Sequence, residues 1–384
     1  MENKSQINEL NNNINSEIIN LNKGIEVIDI NPAHLSLYLN MIGGHSFFVV
    51  YSKKYLIKSV GEKELKFYEF IKTNNIESKH LPKFYGLIEK NTKQYEYITS
   101  YKKKCDLFFK NMIKELNIKL EDIDIEKEVL FNKKFEDFIN EKKDNDNNNH
   151  NNNNSGIILD ESFEKLKEKL MIIKRKCPKK FFWIFYWYIK WQKEFVTDNY
   201  IIIQNLEYDI KNPSIIDIKL GNEKKISKET GKVKIFKGAH ESLGCRIMGI
   251  SSNNLYFKSR YETKELKENE FIKELYNFFG NKKNIINSVI NELREIIKFV
   301  QNNFCLKIFF CSLLIFYDNS EDNNNVIVKL IDFDLTNNAK KINNYNCLKN
   351  KENKENTMNS NNNQNEGFIN CMNNLINVIR SINE

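Results

Sequence analysis

Residues 213–221 read Pro213-Ser214-Ile215-Ile216-Asp217-Ile218-Lys219-Leu220-Gly221. A short apolar, β-branched run between a proline and a glycine has the signature of a buried strand. Two charged residues interrupt it, and burying a charge without a partner costs several kcal/mol, so a metal, a hydrogen bond or an opposite charge is expected to meet them. Side chains alternate along a strand, which puts Asp217 and Lys219 on one face, two residues apart. An acid and an amine on one strand can address a single reacting centre, and Gly221 permits close backbone approach.

Working outward, two further fragments carry charge into apolar text: Lys58, in the second arm of a hairpin that begins near Ile42, and Asp332 in Leu330-Ile331-Asp332-Phe333. Each alone fits an edge lysine or a turn-opening aspartate. Together the three fragments fit phosphoryl transfer, which needs a cation on the nucleotide phosphates, a carboxylate for Mg²⁺ and a group to orient the attacking hydroxyl. Lys58, Asp332 and Asp217 suit those roles in that order.

The surrounding pattern is α+β. The hairpin gives way to 3–4 apolar spacing at Leu65, Phe67, Tyr68 and Ile71, a helix, and strands are expected at Phe84–Ile88 and Tyr95–Thr99. From about Tyr101 to Lys176 the text is charged and monotonous and passes through an Asn-rich tract around His150, which reads as a surface insertion with a disordered centre and helical flanks. Trp183, Trp187 and Trp191 recur every four residues, an aromatic helix face for packing against a sheet. Strands follow at Tyr200–Leu206 and Ser214–Leu220, then a hairpin of Cys245–Ile250 and Leu255–Lys258. Helices are expected near Lys264–Phe279 and Asn284–Val300, strands at Ile308–Tyr317 and Val326–Phe333, and a last helix through Phe368, Met372, Leu375 and Ile379. This order predicts a flexible arm (1–23), an N-lobe (24–206, with the insertion at about 101–176) and a C-lobe (207–384). A nucleotide then belongs in the cleft, near the linker Gln204–Leu206.

Composition bounds the alternatives. With 384 residues, 41% hydrophobic and 29% charged, the chain has core enough for two lobes, and wholesale disorder is excluded. Gly at 13 and Pro at 4 exclude collagen-like and elastic repeats. The net charge of +8 is a weak pull on anions unless the lysines cluster, and they do so at 222–240, where Lys224, Lys225, Lys228, Lys232, Lys234 and Lys237 face Glu223 and Glu229. Such mobile point charges suit a small ligand bearing many phosphates. The seven cysteines form no C-x-x-C pair, so neither zinc nor a disulfide framework is expected, and free thiols without a signal peptide fit the cytoplasm or nucleus. The apolar stretches Phe181–Ile189 and Cys305–Tyr317 are shorter than the ~20 residues of a membrane span.

The run 213–221 resembles the P-x-x-x-D-x-K-x-G signature of the inositol polyphosphate kinase family. Ile42-Gly43-Gly44-His45 is similar to its V-G/A-G-H loop, Ser242-Leu243-Gly244-Cys245-Arg246-Ile247 to its S-L-G-F-R-I segment, Cys311-Ser312-Leu313-Leu314 to S-S-L-L, and Leu330–Phe333 to M-I-D-F. The resemblance spans roughly residues 40–100 and 180–384. It implies a reduced, two-lobed protein-kinase-like fold with antiparallel sheets and ATP between the lobes. It further implies that Lys58 contacts the α- and β-phosphates, that Glu64 or Glu69 pairs with it, and that Gln204, Asn205 and Leu206 face adenine. Asp217 would orient or deprotonate the acceptor, Lys219 would neutralise transferring charge, Asp332 would hold Mg²⁺, and Lys224, Lys225, Lys228 and Lys232 would bind the substrate.

The compact gap between Gly221 and Gly244 is similar to that of hexakisphosphate kinases and multikinases, which implies a soluble inositol polyphosphate acceptor and a monomer. Three departures stand out: Gln204-Asn205 where the family carries an acidic hinge residue, Asp334-Leu335 after the I-D-F, and Cys311 in place of a serine. They keep a catalytically weak or inactive kinase-like scaffold as the alternative. A basic nucleic-acid-binding protein is the reading from another class, but no zinc, RNP or helix-turn-helix signature supports it and no nucleic acid is expected. There is no G-x-x-x-x-G-K-[ST], no H-R-D loop and no D-F-G.

Overall fold

In the computed structural model, which describes residues 30–42, 46–116, 161–194, 199–221, 225–226, 233–234, 237–252, 255–302, 308, 311–320, 325–333 and 365–383, the apolar runs form two five-stranded sheets. The first half supplies β1 (Leu35–Leu37), β2 (Phe48–Tyr51), β3 (Tyr55–Ser59), α1 (Glu62–Thr73), β4 (Phe84–Ile88), α2 (Lys93–Glu115), α3 (Glu161–Lys176), α4 (Pro178–Glu194) and β5 (Tyr200–Gln204). The second half supplies β6 (Pro213–Leu220), the two-residue strands β7 (Lys225–Ile226) and β8 (Val233–Lys234), α5 (Ala239–Leu243), β9 (Cys245–Ser252) and β10 (Tyr256–Lys258). It continues with α6 (Arg260–Thr263), α7 (Glu268–Phe279), α8 (Lys283–Asn302), β11 (Ser312–Asp318), β12 (Val326–Ile331) and α9 (Glu366–Asn383).

The first sheet runs β1-β2-β3-β5-β4 and the second β10-β9-β6-β11-β12, each pairing antiparallel. β6 is therefore central, and its two faces do different things. Ile216, Ile218 and Leu220 enter a core shared with α7, α8 and α9, while Ile215 belongs to a second core built on α2, α3 and α4. By alternation Asp217 and Lys219 share the face of Ile215, as expected for a strand. Both cores also draw on the first sheet, Leu56 and Ile203 in one and Val49 and Ile57 in the other, so the two sheets are joined through packed side chains.

Three expectations change. Tyr95–Thr99 is not a strand but the first turns of α2, because Thr92 accepts from Tyr95 N at 3.3 Å as an N-cap and Ile98, Tyr101, Cys105, Phe108, Phe109 and Met112 line one buried helical face. The helix expected near Lys264–Phe279 is two helices. Ser259 and Glu262 close a capping box on α6, and Lys267 N donates to Glu270 at the start of α7. The last strand pair begins later than expected, at Ser312.

The flanks of the insertion are helical, and they are core. Phe163, Leu166, Leu170 and Ile173 of α3 are buried, with Phe163 against Phe108. Trp183 and Trp187 of α4 are buried too, and Trp183 lies against Phe257 of β10, so this helix reaches the second sheet. The Asn-rich tract and the arm 1–23 lie outside the described residues, as does the side chain of Trp191. Among the described residues no helix is long and apolar enough to cross a membrane, and Cys105, Cys177, Cys245, Cys311 and Cys371 are free thiols.

A core role for the insertion flank has a measurable cost: Leu170→Ala is expected to lower unfolding free energy by about 2–4 kcal/mol in urea titrations. A loss below about 0.5 kcal/mol would mark α3 as a surface appendage.

Candidate functional site

Lys58 stands on β3 with its amine over the ring of Phe48, and it meets Glu64 of α1 at 2.5 Å, the two side chains 7% and 1% exposed. Glu64 projects inward with Phe67, Tyr68 and Ile71 from the buried face of α1, and a carboxylate there is tolerable because the ammonium matches it. Glu69 sits beside Lys66 instead, half-buried, with its pKa raised by burial against the pull of Lys66.

Asp217 is buried on the opposite side of the cleft. Burial raises its pKa to about 6, Asp332 adds to the rise, and Lys219, a hydrogen bond with Ser312 and Arg246 oppose it. Its Oδ1 has no hydrogen-bond partner. Lys219 donates to Asp332 Oδ2 at 2.9 Å. Burial works to lower the Lys219 pKa, but Asp332, by charge and hydrogen bond, and Asp217 raise it on balance, so the amine stays protonated between two acids. Asp332 itself has φ +66°, a left-handed conformation rare for residues other than Gly, Asn and Asp. The next residue, Phe333, stacks on Phe67 at 3.8 Å, locking the end of β12 to α1. Tyr68 closes the circuit: burial, Glu64 and Asp332 all raise its pKa, so the Lys58–Glu64 pair and Asp332 act on one ring.

One cleft has Lys58, Gln204, Asn205, Leu206 and Asp217 in its lining, while Glu64, Lys219 and Asp332 are outside that lining and connect to it through Lys58 and Asp217. The three linker residues are not equivalent. Gln204 N donates to Lys83 O and Asn205 N to Lys54 O, both at 2.9 Å, while the Asn205 side chain donates to Lys53 O. Leu206 makes no hydrogen bond among the described residues, which leaves its N–H and C=O without an internal partner. Of the basic segment, Lys224, Lys228 and Lys232 lie outside the described residues, and for Lys225, on β7, only the backbone is described. Gly43, Gly44 and His45 also lie outside. His240 donates from Nε2 to Gly221 O at 2.6 Å and so anchors the turn after β6.

Two groups escaped the sequence reading. Arg246 pairs in register with Lys219 across β6 and β9, and its Nε is buried without a hydrogen-bond partner. Burial, then Arg260, lower its pKa, while Asp217 raises it. A guanidinium beside the acid, with a second one acting on it, suits an anion. The second group, Tyr38, Asn40, Lys180 and Glu207, backs the linker side of the cleft. Arg246 lay in the S-L-G-C-R-I segment, a usable signal; Lys180 offered none, being one lysine in a lysine-rich chain.

A divalent cation fits this donor set. Among the described residues no three His, Cys, Asp or Glu side chains gather as a cage, but Asp217 offers an orphaned buried oxygen and Asp332 a second carboxylate nearby. One or two carboxylates completed by phosphate oxygens and water is how Mg²⁺ is commonly held.

The family model described as inositol polyphosphate kinase matches residues 200–380. Among solved structures, the chain is similar to the inositol phosphate multikinase Ipk2 from S. cerevisiae in complex with ADP and Mn²⁺, at 17% identity and a TM-score of 0.34, covering 48% of this chain and 84% of that one. A second, from structural studies and protein engineering of an inositol phosphate multikinase, shares 20% identity at a TM-score of 0.34 over 47% of this chain and 85% of that one. No curated protein matches the chain.

The raised pKa of Asp217 has a sign that can be tested. A folded value of about 6 against 3.8 means that the folded protein holds this proton more tightly, so the stability contribution is greatest below pH 3.8 and falls as pH rises through 6. Asp217→Asn is therefore expected to stabilise the fold at pH 7 by about 1–3 kcal/mol, with the gain gone by about pH 4. A destabilised variant at pH 7 in denaturant titrations would contradict the uncompensated burial of this carboxylate.

Proposed function

We propose that this chain, which the inositol polyphosphate kinase family model matches over residues 200–380, transfers the γ-phosphoryl group of ATP to a soluble inositol polyphosphate, as a hexakisphosphate kinase or a multikinase does. The observation that carries the reading is that Lys58, paired with Glu64, and Asp217, charge-coupled to the Lys219–Asp332 pair, line one cleft.

When bound, ATP with Mg²⁺ supplies the phosphoryl group and shields its charge, and Asp332 would hold the metal. Lys58, its amine fixed by Glu64, faces the α- and β-phosphates; a preorganised cation stabilises charge without reorganising during transfer. The Leu206 backbone meets the adenine edge, flanked by Gln204 and Asn205. A pKa near 6 lets Asp217 be ionised at neutral pH yet basic enough to take a hydroxyl proton. Lys219 screens Asp217 from Asp332 and stands ready for charge on the moving group. Arg246 and Arg260 receive phosphates of the acceptor, with Lys224, Lys225, Lys228 and Lys232 as further cations. The two acceptor types differ in what they ask of Asp217. A ring hydroxyl needs the proton transfer, whereas a phosphate acceptor is already ionised.

The test is purified protein with ATP, Mg²⁺ and a panel from inositol trisphosphate to hexakisphosphate, products resolved by chromatography. At least one acceptor is expected to gain a phosphate. Asp217→Asn, Lys219→Ala and Asp332→Asn should each cut turnover about 100-fold or more, and Arg246→Ala should act mainly on the acceptor KM. Retained turnover in any two of the first three would overturn the roles. ADP-induced thermal stabilisation without transfer to any acceptor would favour the inactive scaffold.

A further inference from the structure

α4 lies in the segment between β4 and β5, yet its first turns contact residues that line the cleft. Lys180 is 1% exposed; it donates to Asn40 Oδ1 at 2.6 Å and to Ser251 Oγ of β9 at 3.4 Å. Asn40 donates in turn through Nδ2 to Glu207 Oε2 at 2.7 Å, and Tyr38 donates its hydroxyl proton to Glu207 Oε1. One turn further along the same helix, Trp183 Nε1 donates to Met41 O at 3.1 Å. Ile42 then lies against Gly249 of β9, where a Cβ would come within 2.0 Å of Ile42 O. Asn40, Met41 and Ile42 all line the cleft, so three consecutive wall residues are pinned from behind, two of them by α4.

We propose that α4 is a positioning element for the nucleotide: Lys180 and Trp183 fix the Asn40–Ile42 wall against Glu207, and through that wall set nucleotide affinity. The inference rests on the reading that ATP occupies this cleft. An ammonium is a costly group to bury, and an apolar side chain of the same length would pack as well, but only a donor can hold Asn40 Oδ1 and thereby keep Nδ2 aimed at Glu207. Release of that amide frees the wall residue beside the linker without touching Lys58, Asp217 or Asp332. Burial lowers the Lys180 pKa and raises that of Glu207, and each charge opposes the shift of the other. The effect expected is on nucleotide binding rather than on the chemical step.

The experiment measures MgADP binding to the full chain by calorimetry, with ATP and acceptor kinetics alongside. Lys180→Met should weaken the Kd for ADP about tenfold and raise the ATP KM to match, and Trp183→Phe should weaken it about threefold, with kcat and the acceptor KM within about twofold of wild type. Lys180→Arg, which keeps a donor, should recover part of the loss. Leu170→Ala, which loses stability from the far side of the same insertion, should leave ADP affinity within about twofold. Wild-type ADP affinity in Lys180→Met and Trp183→Phe would overturn the proposal and make α4 structural only; if Lys180→Met does not fold, Trp183→Phe decides alone. A wild-type chain that binds no ADP would be a different failure, that of the nucleotide reading itself, and would remove this inference with it.

Discussion

Everything around the cleft answers to one constraint: Asp217 and Lys219 are held on the central strand of the second sheet, largely out of water, with Asp332 as the counter-charge to the amine. An acid–amine–acid row of this kind is unfavourable to bury in isolation, since desolvation of each charge opposes the Coulomb gain. The fold tolerates it because Ile216, Ile218 and Leu220 on the other face of the same strand sit in the larger core, so the strand cannot slip by one residue without exchanging isoleucines for charges. Register, and with it the geometry of the site, is thus enforced from the far side of the sheet.

The same logic explains why the cleft spans both sheets. Lys58 and Glu64 neutralise each other within the first sheet and its helix, while Phe333, one residue past Asp332, stacks on Phe67 of that helix. A ring contact at 3.8 Å therefore couples the position of the second sheet's carboxylate to the helix that orients the first sheet's cation. The segment between β4 and β5 adds a third support, and it is not decoration: its helices fill the core behind the first sheet and reach Phe257 of the second.

Legibility in the sequence followed the range of the interactions. The central strand was readable because its evidence is local: a proline, a glycine and alternation between them. The Lys58–Glu64 pair was within reach too, being six residues apart across one hairpin-to-helix turn. Tyr95–Thr99 misled because aromatic and β-branched residues favour strands over a short window, whereas the buried spacing that makes it helical runs on to Met112 and the cap lies upstream at Thr92. The Lys180–Asn40 contact joins residues 140 apart, and no pattern in a lysine-rich text distinguishes that lysine from its neighbours. Arg246 fell between: its segment was recognisable, but only the register opposite Lys219 shows what its guanidinium faces.

The backbone at Asp332 narrows what chemistry position 332 can ever host. With φ at +66° the chain bends there in a way that three residue types accept at little cost, and of glycine, asparagine and aspartate just one carries charge. A glutamate, for all its equal charge, would bring a longer stem and an ill-suited backbone preference to the same bend. The turn thus filters the alphabet before any ligand arrives, and drift at this codon has few harmless destinations.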